Sequence, residues 1–399
     1  MFCKVCKKKI KPFLSFGKMP MANGFLSKKD FKEEFFYKLE VGFCKKDFLF
    51  QVNDHPKSPH IFNNHYPFYT NKSKIMVSHF KKYFRWSERF LNKNSRIIEI
   101  GSNDGTFLKN YKISKYVHLG IEPSKNVAKY SKKINKINVK NEFFSFKNSQ
   151  KLSSFKNKTD LICAANVISH IPNLNDMIKG IDILLSKKGV FVFEEPYLGS
   201  MFKKISYDQI YDAHIFIFSI HSVKNIFKRF GYELIDALPQ KTHGGSMRYV
   251  ICRKGNRKIS KRLLKLTNIE IRSKLNKLSS CIKFKQACHK SSNNFRKKII
   301  DLKKLGKKIA GYAASAKSST VLNYCKINNK HIDFIADSTK EKIGKFTPGT
   351  HIPVVPIKHF RMNNPDYTIL CSWNHRYEIF KKEKAYLKKG GKWISHVKI

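Results

Sequence analysis

Between residues 96 and 252, short apolar runs alternate with segments whose apolar residues recur every three or four positions. Arg96 to Ile100, Val117 to Ile121, Leu161 to Val167 and Gly189 to Glu194 are too short and too evenly apolar for surface helices, and read as strands buried on both faces. Ahead of them, Ser73 to Leu91 sets Ile75, His79, Tyr83, Trp86 and Phe90 at helical spacing. Asn173-Leu174-Asn175-Asp176 offers an N-cap to a helix ending near Leu185, and Gly189 follows where the chain must turn back. A helix over 221–230 and strands around Leu234 and Tyr249 would finish this unit. Strands and helices in this alternation predict a parallel α/β sheet.

The pattern changes on either side. Residues 1–70 are rich in aromatics, proline and turn formers, with Cys3 and Cys6 spaced Cys-x-x-Cys, an apolar stretch from Tyr37 to Phe43 and then Cys44, the texture of a small metal-stapled module. Residues 253–305 are lysine-rich with Leu263, Leu264, Ile269, Leu275 and Leu278 at helical spacing, and predict an amphipathic connector. A second α/β unit follows over 306–399. It has a strand from Lys308 to Tyr312, a small-residue loop from Ala313 to Ser319, a helix from Thr320 to Cys325, and strands from Ile332 to Ala336 and Tyr367 to Cys371. The expected organisation is therefore 1–70, 71–252, 253–305 and 306–399.

Composition changes this picture little. A chain of 399 residues is too long for one ordinary core, and 41% hydrophobic content suffices for several. The formal charge of +52 would ordinarily argue for nucleic acid or an anionic surface. Its 68 lysines against 12 arginines are spread along the whole chain, however, so a solvated lysine surface is the better reading and a nucleic-acid partner is disfavoured. Nine cysteines form no regular framework and the chain opens Met1-Phe2-Cys3-Lys4 without an apolar signal, so reduced thiols and a cytoplasmic setting are expected. No run of about 18 uncharged apolar residues predicts a membrane span.

Chemistry concentrates at the strand ends. Ile97 to Leu108 reads as a strand, a turn with Gly101 and Gly105, and a helix start, with Glu99 at the strand's end. The turn lacks the Gly-Lys-Ser/Thr of a phosphate loop. The next strand ends in Glu122, 21 residues after Gly101, where doubly wound folds hold ribose hydroxyls. Together these point to a nucleoside cofactor without a phosphate grip, and the segment resembles motif I and the acidic second-strand end of class I S-adenosylmethionine-dependent methyltransferases.

Further stretches agree. Met1 to Cys6, Phe16 to Asn23, Glu99 to Leu108, Ala165-Asn166-Val167 with His170-Ile171-Pro172, Tyr211 to His214, Thr242 to Ser246 and Lys345 to Pro353 together resemble the C-methyltransferases of nucleotide-linked keto-deoxysugars. The resemblance implies a small N-terminal zinc-binding module, a central doubly wound methyltransferase sheet and a C-terminal Rossmann-like α/β domain. It implies a His214 base that forms an enolate, with Tyr66, His170 and Tyr211 in support. S-adenosylmethionine would lie against Glu99, Gly101, Gly105, Glu122 and Asn166, with Phe143 and Phe144 near the adenine unless they belong to the core. For the nucleotide sugar, His243, Ser246 and Arg248 suit polar and phosphate contacts, the arginine fork matching a diphosphate. Lys317 is a further candidate.

Two departures stand out. Ala213 replaces the glutamate that precedes the histidine in the family, leaving Asp212 or Glu195 as substitutes if they face inward. The second Cys-x-x-Cys reads Cys44-Lys45-Lys46-Asp47, so the expected zinc ligands are Cys3, Cys6, Cys44 and Asp47, a set zinc accepts at Zn–O distances of about 2.0–2.2 Å. The two departures, Ala213 and Asp47, make a relative that binds cofactor or nucleotide sugar without methylating carbon the main alternative; a nucleic-acid methyltransferase is the weaker one.

Overall fold

The computed structural model describes residues 1–53, 56, 66, 68–114 and 116–399, whose strands build three sheets. The first begins with β1 (Pro12–Pro20), β2 (Phe36–Cys44) and β3 (Leu49–Val52), an antiparallel meander. The turn from β2 to β3 carries Cys44 and Asp47. Phe13 of β1 meets Phe50 of β3 edge-on with ring centroids 5.6 Å apart, closing the module's core.

The second sheet starts with β4 (Arg96–Ile100), β5 (Val117–Ile121), β6 (Val139–Lys140), β7 (Thr159–Ala165) and β8 (Leu185–Pro196), all parallel. The chain then leaves it for β9 (Phe216–Ile217), which pairs with β3 of the first sheet. It returns as β10 (Tyr232–Gln240) and β11 (Ser246–Arg253). The order is β10-β11-β8-β7-β4-β5-β6, with only β11 running against its neighbours. Strands wind outward in both directions from β4, so a crevice opens beyond the carboxyl ends of β4 and β7, where doubly wound sheets take ligands. Ile98 and Ile100 point into one hydrophobic cluster and Ile97 into another, which is why β4 reads as an unbroken apolar run.

The third sheet is wholly parallel: β12 (Ile309–Tyr312), β13 (Ile335–Asp337), β14 (Val354–Pro356), β15 (Tyr367–Leu370) and β16 (Lys392–Ile394), in the order β14-β13-β12-β15-β16. It too is doubly wound, with its crevice at β12 and β15. The strand expected over 332–336 is shifted to 335–337, and β6, β14 and β16, of two or three residues each, are too short to leave a sequence pattern. The helix expected from Thr320 begins at Ala316, because Ser315 accepts from the Ser318 amide and Ser318 accepts from the Ser315 amide in a reciprocal cap.

Residues 253–305 hold the helices Lys261–Arg272 and Leu278–Lys304. The longer buries Cys281, Phe284, Cys288, Phe295, Ile299 and Leu302 along one face, and Phe284 stacks on Phe202 at 4.4 Å. Buried side chains from all three sheets and this helix form one continuous cluster. Among the described residues no helix is long and apolar enough to cross a membrane.

Candidate active site

A cavity of about 1770 Å³ lies over the crevice of the second sheet and reaches the crevice of the third. Single-ligand pockets run to roughly 1,000 Å³, so this one has room for two molecules.

At one end stand the residues proposed for a cofactor. Gly101 follows β4 with φ 69°, and a Cβ there would sit 2.3 Å from Val167 Cγ2, so only glycine fits between the ends of β4 and β7. Glu122 closes β5; its carboxylate accepts from the Ser124 amide at 2.8 Å and the Asn103 amide at 2.9 Å. Burial raises the Glu122 carboxyl and those amides oppose the rise. Glu99 is 3% exposed, and burial followed by the charges of Asp104 and Glu122 pushes its carboxyl well above the usual range. Its Oε2, and Oδ1 of Asn166 at the end of β7, are buried without a hydrogen-bond partner. Unpartnered polar atoms aimed at a cavity are costly unless a ligand satisfies them. Glu99, Gly101, Glu122 and Asn166 all line this space, which is therefore a fitting receptacle for the amino, sulfonium and ribose groups of S-adenosylmethionine. Phe143 and Phe144 both line it; Phe143 is 38% exposed, and Phe144, 9% exposed, packs into the core as well.

Gly105 is a correction. It does not line the cavity; a Cβ there would meet Ser131 Oγ at 2.5 Å and Ile137 Cγ1 at 2.7 Å, so this glycine makes room for the end of the helix Lys125–Lys133 and for Ile137 beyond it.

Midway, Tyr211 and His214 form a bonded pair. His214 Nδ1 donates to the Gln209 carbonyl at 2.7 Å, which assigns the remaining lone pair to Nε2. Nε2 accepts from the Tyr211 hydroxyl at 2.8 Å. Burial, and after it the His170 charge, hold His214 well below the ordinary imidazole range. His170 stands with its ring centroid 5.2 Å from that of His214, and its Nδ1 donates to the Ala213 carbonyl. Burial lowers His170 too, against hydrogen bonds to the backbone at Ala213 and Asn166. Tyr66 lines the same cavity, its ring edge-on to Phe68 at 5.5 Å, and burial raises its hydroxyl.

Neither carboxylate replaces the missing glutamate. Asp212 accepts from the Ala22 and Ala213 amides at 3.0 and 2.8 Å, and Glu195 from the Val167 and Ser169 amides at 2.8 and 3.1 Å. Neither residue lines the cavity, although burial moves Asp212 up to about 6 and Glu195 up to about 7.

At the far end, His243 and Lys317 line the cavity beside Trp373. His243 sits at φ 51°, its Nε2 buried and unpartnered, and burial pushes it down to about 3. Lys317 Nζ lies 5.6 Å from the centroid of the Trp373 ring and 3.5 Å from Asn374 Oδ1, and burial lowers it as well. The Trp373 ring is fixed by a 2.7 Å bond from its Nε1 to Asp208. Arg248 is a second correction. It does not reach the cavity; it pairs with Glu194 at 2.5 Å and lies 3.7 Å over the Tyr83 ring, while His79 bonds the other Glu194 oxygen at 2.6 Å. A guanidinium so committed is not available to a diphosphate. Ser246 likewise turns inward, donating to the Thr242 carbonyl at 3.1 Å.

Sequence reading missed His79, Lys204 and Trp373, all cavity-lining, and Gln209. Trp373 follows β15 at the crevice of a parallel sheet, a position that could have marked it. Gln209 acts through its carbonyl and leaves no signal.

Away from this cavity, Cys3, Cys6, Cys44 and Asp47 bring their donor atoms within 4.8 Å of one another. Cys6 and Cys44 sulfurs are 3.6 Å apart, and Asp47 Oδ2 lies 3.1 Å from Cys3 Sγ and 3.6 Å from Cys44 Sγ. A tetrahedral zinc ion sets sulfurs about 3.8 Å apart and sulfur to oxygen about 3.5 Å. The donors thus fit zinc with little movement.

Comparison with known proteins follows the same three parts. Residues 3–62 match the family model described as "Putative zinc binding domain", 77–237 that described as "Methyltransferase domain", and 241–397 that described as "C-methyltransferase C-terminal domain". The C-methyltransferase NovU of Streptomyces niveus is 25% identical over 385 residues, spanning 96% of this chain and 91% of the relative. Among solved structures, the PH0226 protein of Pyrococcus horikoshii OT3 has 14% identity and a TM-score of 0.37, covering 50% of this chain and 100% of that chain. Magnesium protoporphyrin IX methyltransferase of Synechocystis PCC 6803 has 12% identity and a TM-score of 0.34, covering 45% and 82%.

Proposed function

The chain is an S-adenosylmethionine-dependent methyltransferase built, in order, from a zinc-binding domain, a methyltransferase domain and a C-methyltransferase C-terminal domain, and from that premise we propose that it methylates the carbon beside the ketone of a nucleotide-linked keto-deoxysugar, with His214 as base.

The observation that carries this reading is the Gln209–His214–Tyr211 chain of hydrogen bonds in a cavity large enough for cofactor and substrate together. The Gln209 carbonyl fixes the tautomer, so His214 keeps a neutral Nε2 as proton acceptor throughout the neutral range. The Tyr211 hydroxyl, 2.8 Å away, is the donor that a substrate oxygen displaces from Nε2; it then serves the enolate oxygen as charge develops. His170 and Tyr66 are polar neighbours for the same oxygen. When bound, S-adenosylmethionine would supply an electrophilic methyl, and Glu99, Glu122 and Asn166 would hold it. Lys317, not Arg248, takes the diphosphate, with His243 and Trp373 flanking it.

The test is mass spectrometry of the protein with S-adenosylmethionine and a panel of nucleotide 4-keto-deoxysugars, together with α-proton exchange in D₂O. A gain of about 14 mass units and exchange, both lost in His214→Asn while cofactor affinity is kept, are expected; methylation that survives His214→Asn overturns the assignment of the base.

Ala213 supports a second reading. Asp212 and Glu195 bond backbone amides and stand outside the cavity lining, so neither assists His214, as in a protein that binds cofactor and nucleotide sugar without transferring the methyl. Binding of both ligands with neither exchange nor mass gain across the panel would favour it.

A further inference from the structure

Asp47 stands apart from the three cysteines of the zinc cluster in that its two oxygens have different company. Oδ2 faces Cys3 and Cys44, whereas Oδ1 is bonded by the Arg229 guanidinium and by Asn225 Nδ2 at 3.3 Å. Both partners come from the end of the helix Ile220–Lys228, and Asn225 Nδ2 also donates to the Lys46 carbonyl at 2.9 Å. Asp47 itself is fully buried. We propose that Arg229 is a positioning residue for the metal: it holds Asp47 as a one-oxygen ligand and thereby makes zinc binding depend on contact between the N-terminal module and the methyltransferase sheet.

The chemistry requires such a partner. A carboxylate left to itself can swing, bind through both oxygens or turn to solvent, and a cysteine at this position would do none of these. Salt-bridging one oxygen leaves the other alone to face the ion and offsets the cost of burying the carboxylate. The contact also has a route to the proposed base. The Cys44–Asp47 turn leads directly into β3, and β3 pairs with β9 at Phe50–Ile217 and Gln51–Phe216, the latter two residues beyond His214. A Val52 amide bond to the Ile215 carbonyl, 2.9 Å, extends the join to the residue after the histidine. The zinc-ligand turn and the segment carrying His214 are thus neighbouring strands of one sheet.

The experiment is a cycle on the full-length protein: wild type, Arg229→Ala, Asp47→Cys and the double variant, each titrated for zinc by chelator competition and loaded with cobalt for its visible spectrum. Arg229→Ala is expected to lower zinc affinity about 10- to 100-fold when Asp47 is present and to leave it within about threefold when combined with Asp47→Cys, where no carboxylate needs holding. Cobalt spectra are expected to gain thiolate-to-metal absorption on Asp47→Cys. Equal losses in both backgrounds would mean that Arg229 only supports the fold, and an unchanged affinity with Asp47 present would mean that it does nothing for the metal; either overturns the proposal. Should Arg229→Ala fail to fold, Arg229→Gln keeps the stem and a donor without the charge, and the same comparison between backgrounds decides.

Discussion

Replacing Ala213 by glutamate probes the site at its weakest point. The residue lines the cavity, directly precedes His214 in the chain, and its backbone carbonyl holds His170. His214 is held far down by burial and by neighbouring positive charge, and neither Asp212 nor Glu195 lines the cavity beside it. Two opposite unit charges about 4 Å apart at an effective dielectric near 20 interact by about 4 kcal/mol. At 1.36 kcal/mol per unit, that lifts the imidazole by about 3 units. A base that starts well below neutrality can rise that far and still be mostly unprotonated at pH 8, so the added basicity is gained without loss of the active form. If about half of it is expressed in the transition state, turnover rises on the order of 30-fold.

The assay is the pH dependence of kcat/KM, whose acid limb reports the base in the free enzyme. The limb should move towards neutrality by about one to three units in Ala213→Glu, with α-proton exchange in D₂O accelerating in parallel. A limb that stays in place, or a variant still active after adding His214→Asn, refutes the reasoning that His214 is the base. A shifted limb with slower turnover would instead show a site tuned to work with a neutral histidine alone.

Glu122→Gln removes the charge at the end of β5 and should weaken S-adenosylmethionine binding by about 1.5–3 kcal/mol, roughly 10- to 150-fold, in calorimetry, leaving nucleotide-sugar binding intact. Lys317→Met and Arg248→Ala should separate cleanly. The first is expected to raise KM for the nucleotide sugar with little change in melting temperature. The second leaves Glu194 buried beside His79 with half its partners gone and should cost about 3–5 kcal/mol of stability, read in denaturant titration, with KM unchanged in the folded fraction. Glu195 carries a pH signature: its folded pKa, about 7, lies above the ordinary 4.5, so the stability it lends is fully present below about pH 4.5 and lost as pH rises through 7. The apparent Tm of wild type should therefore fall relative to Glu195→Gln between about pH 5 and 8, and parallel curves would contradict the raised value.

Much of this was legible in the sequence wherever burial imposes a pattern. The strands β4, β5, β7 and β8 announced themselves because both faces are covered, and Gly101 and Glu122 because a doubly wound sheet fixes where its ligand groups must stand. What escaped did so for reasons of geometry. Arg248 looked like a diphosphate clamp because a rare arginine has a planar fork that matches one, yet the sequence cannot reveal that Glu194 lies across from it in the antiparallel register of β8 and β11. Gly105 looked like a ligand contact because a glycine in motif I can serve either a ligand or a packing helix. Asp47 was readable as a zinc ligand only through the family resemblance, whose second Cys-x-x-Cys it completes; Arg229, 182 residues further on, was not.

The same distinction applies to the lysines. A net charge of +52 spread over a solvated surface has little specificity, since water and salt screen each ammonium alike. Lys317 differs in setting: it is buried, its pKa is lowered by burial, and Asp208, the acid whose charge opposes that lowering, has its two oxygens bonded by Trp373 and His396. An ammonium held in low dielectric without a carboxylate of its own is under-solvated until an anion arrives, and the interaction is then worth several times what a surface lysine offers. Lys204, on the rim and 5.6 Å from the centroid of the same Trp373 ring, adds a second cation on the way in. Under the proposed function, recognition of the diphosphate therefore rests on Lys317, buried in the cavity wall, with Lys204 as the second cation.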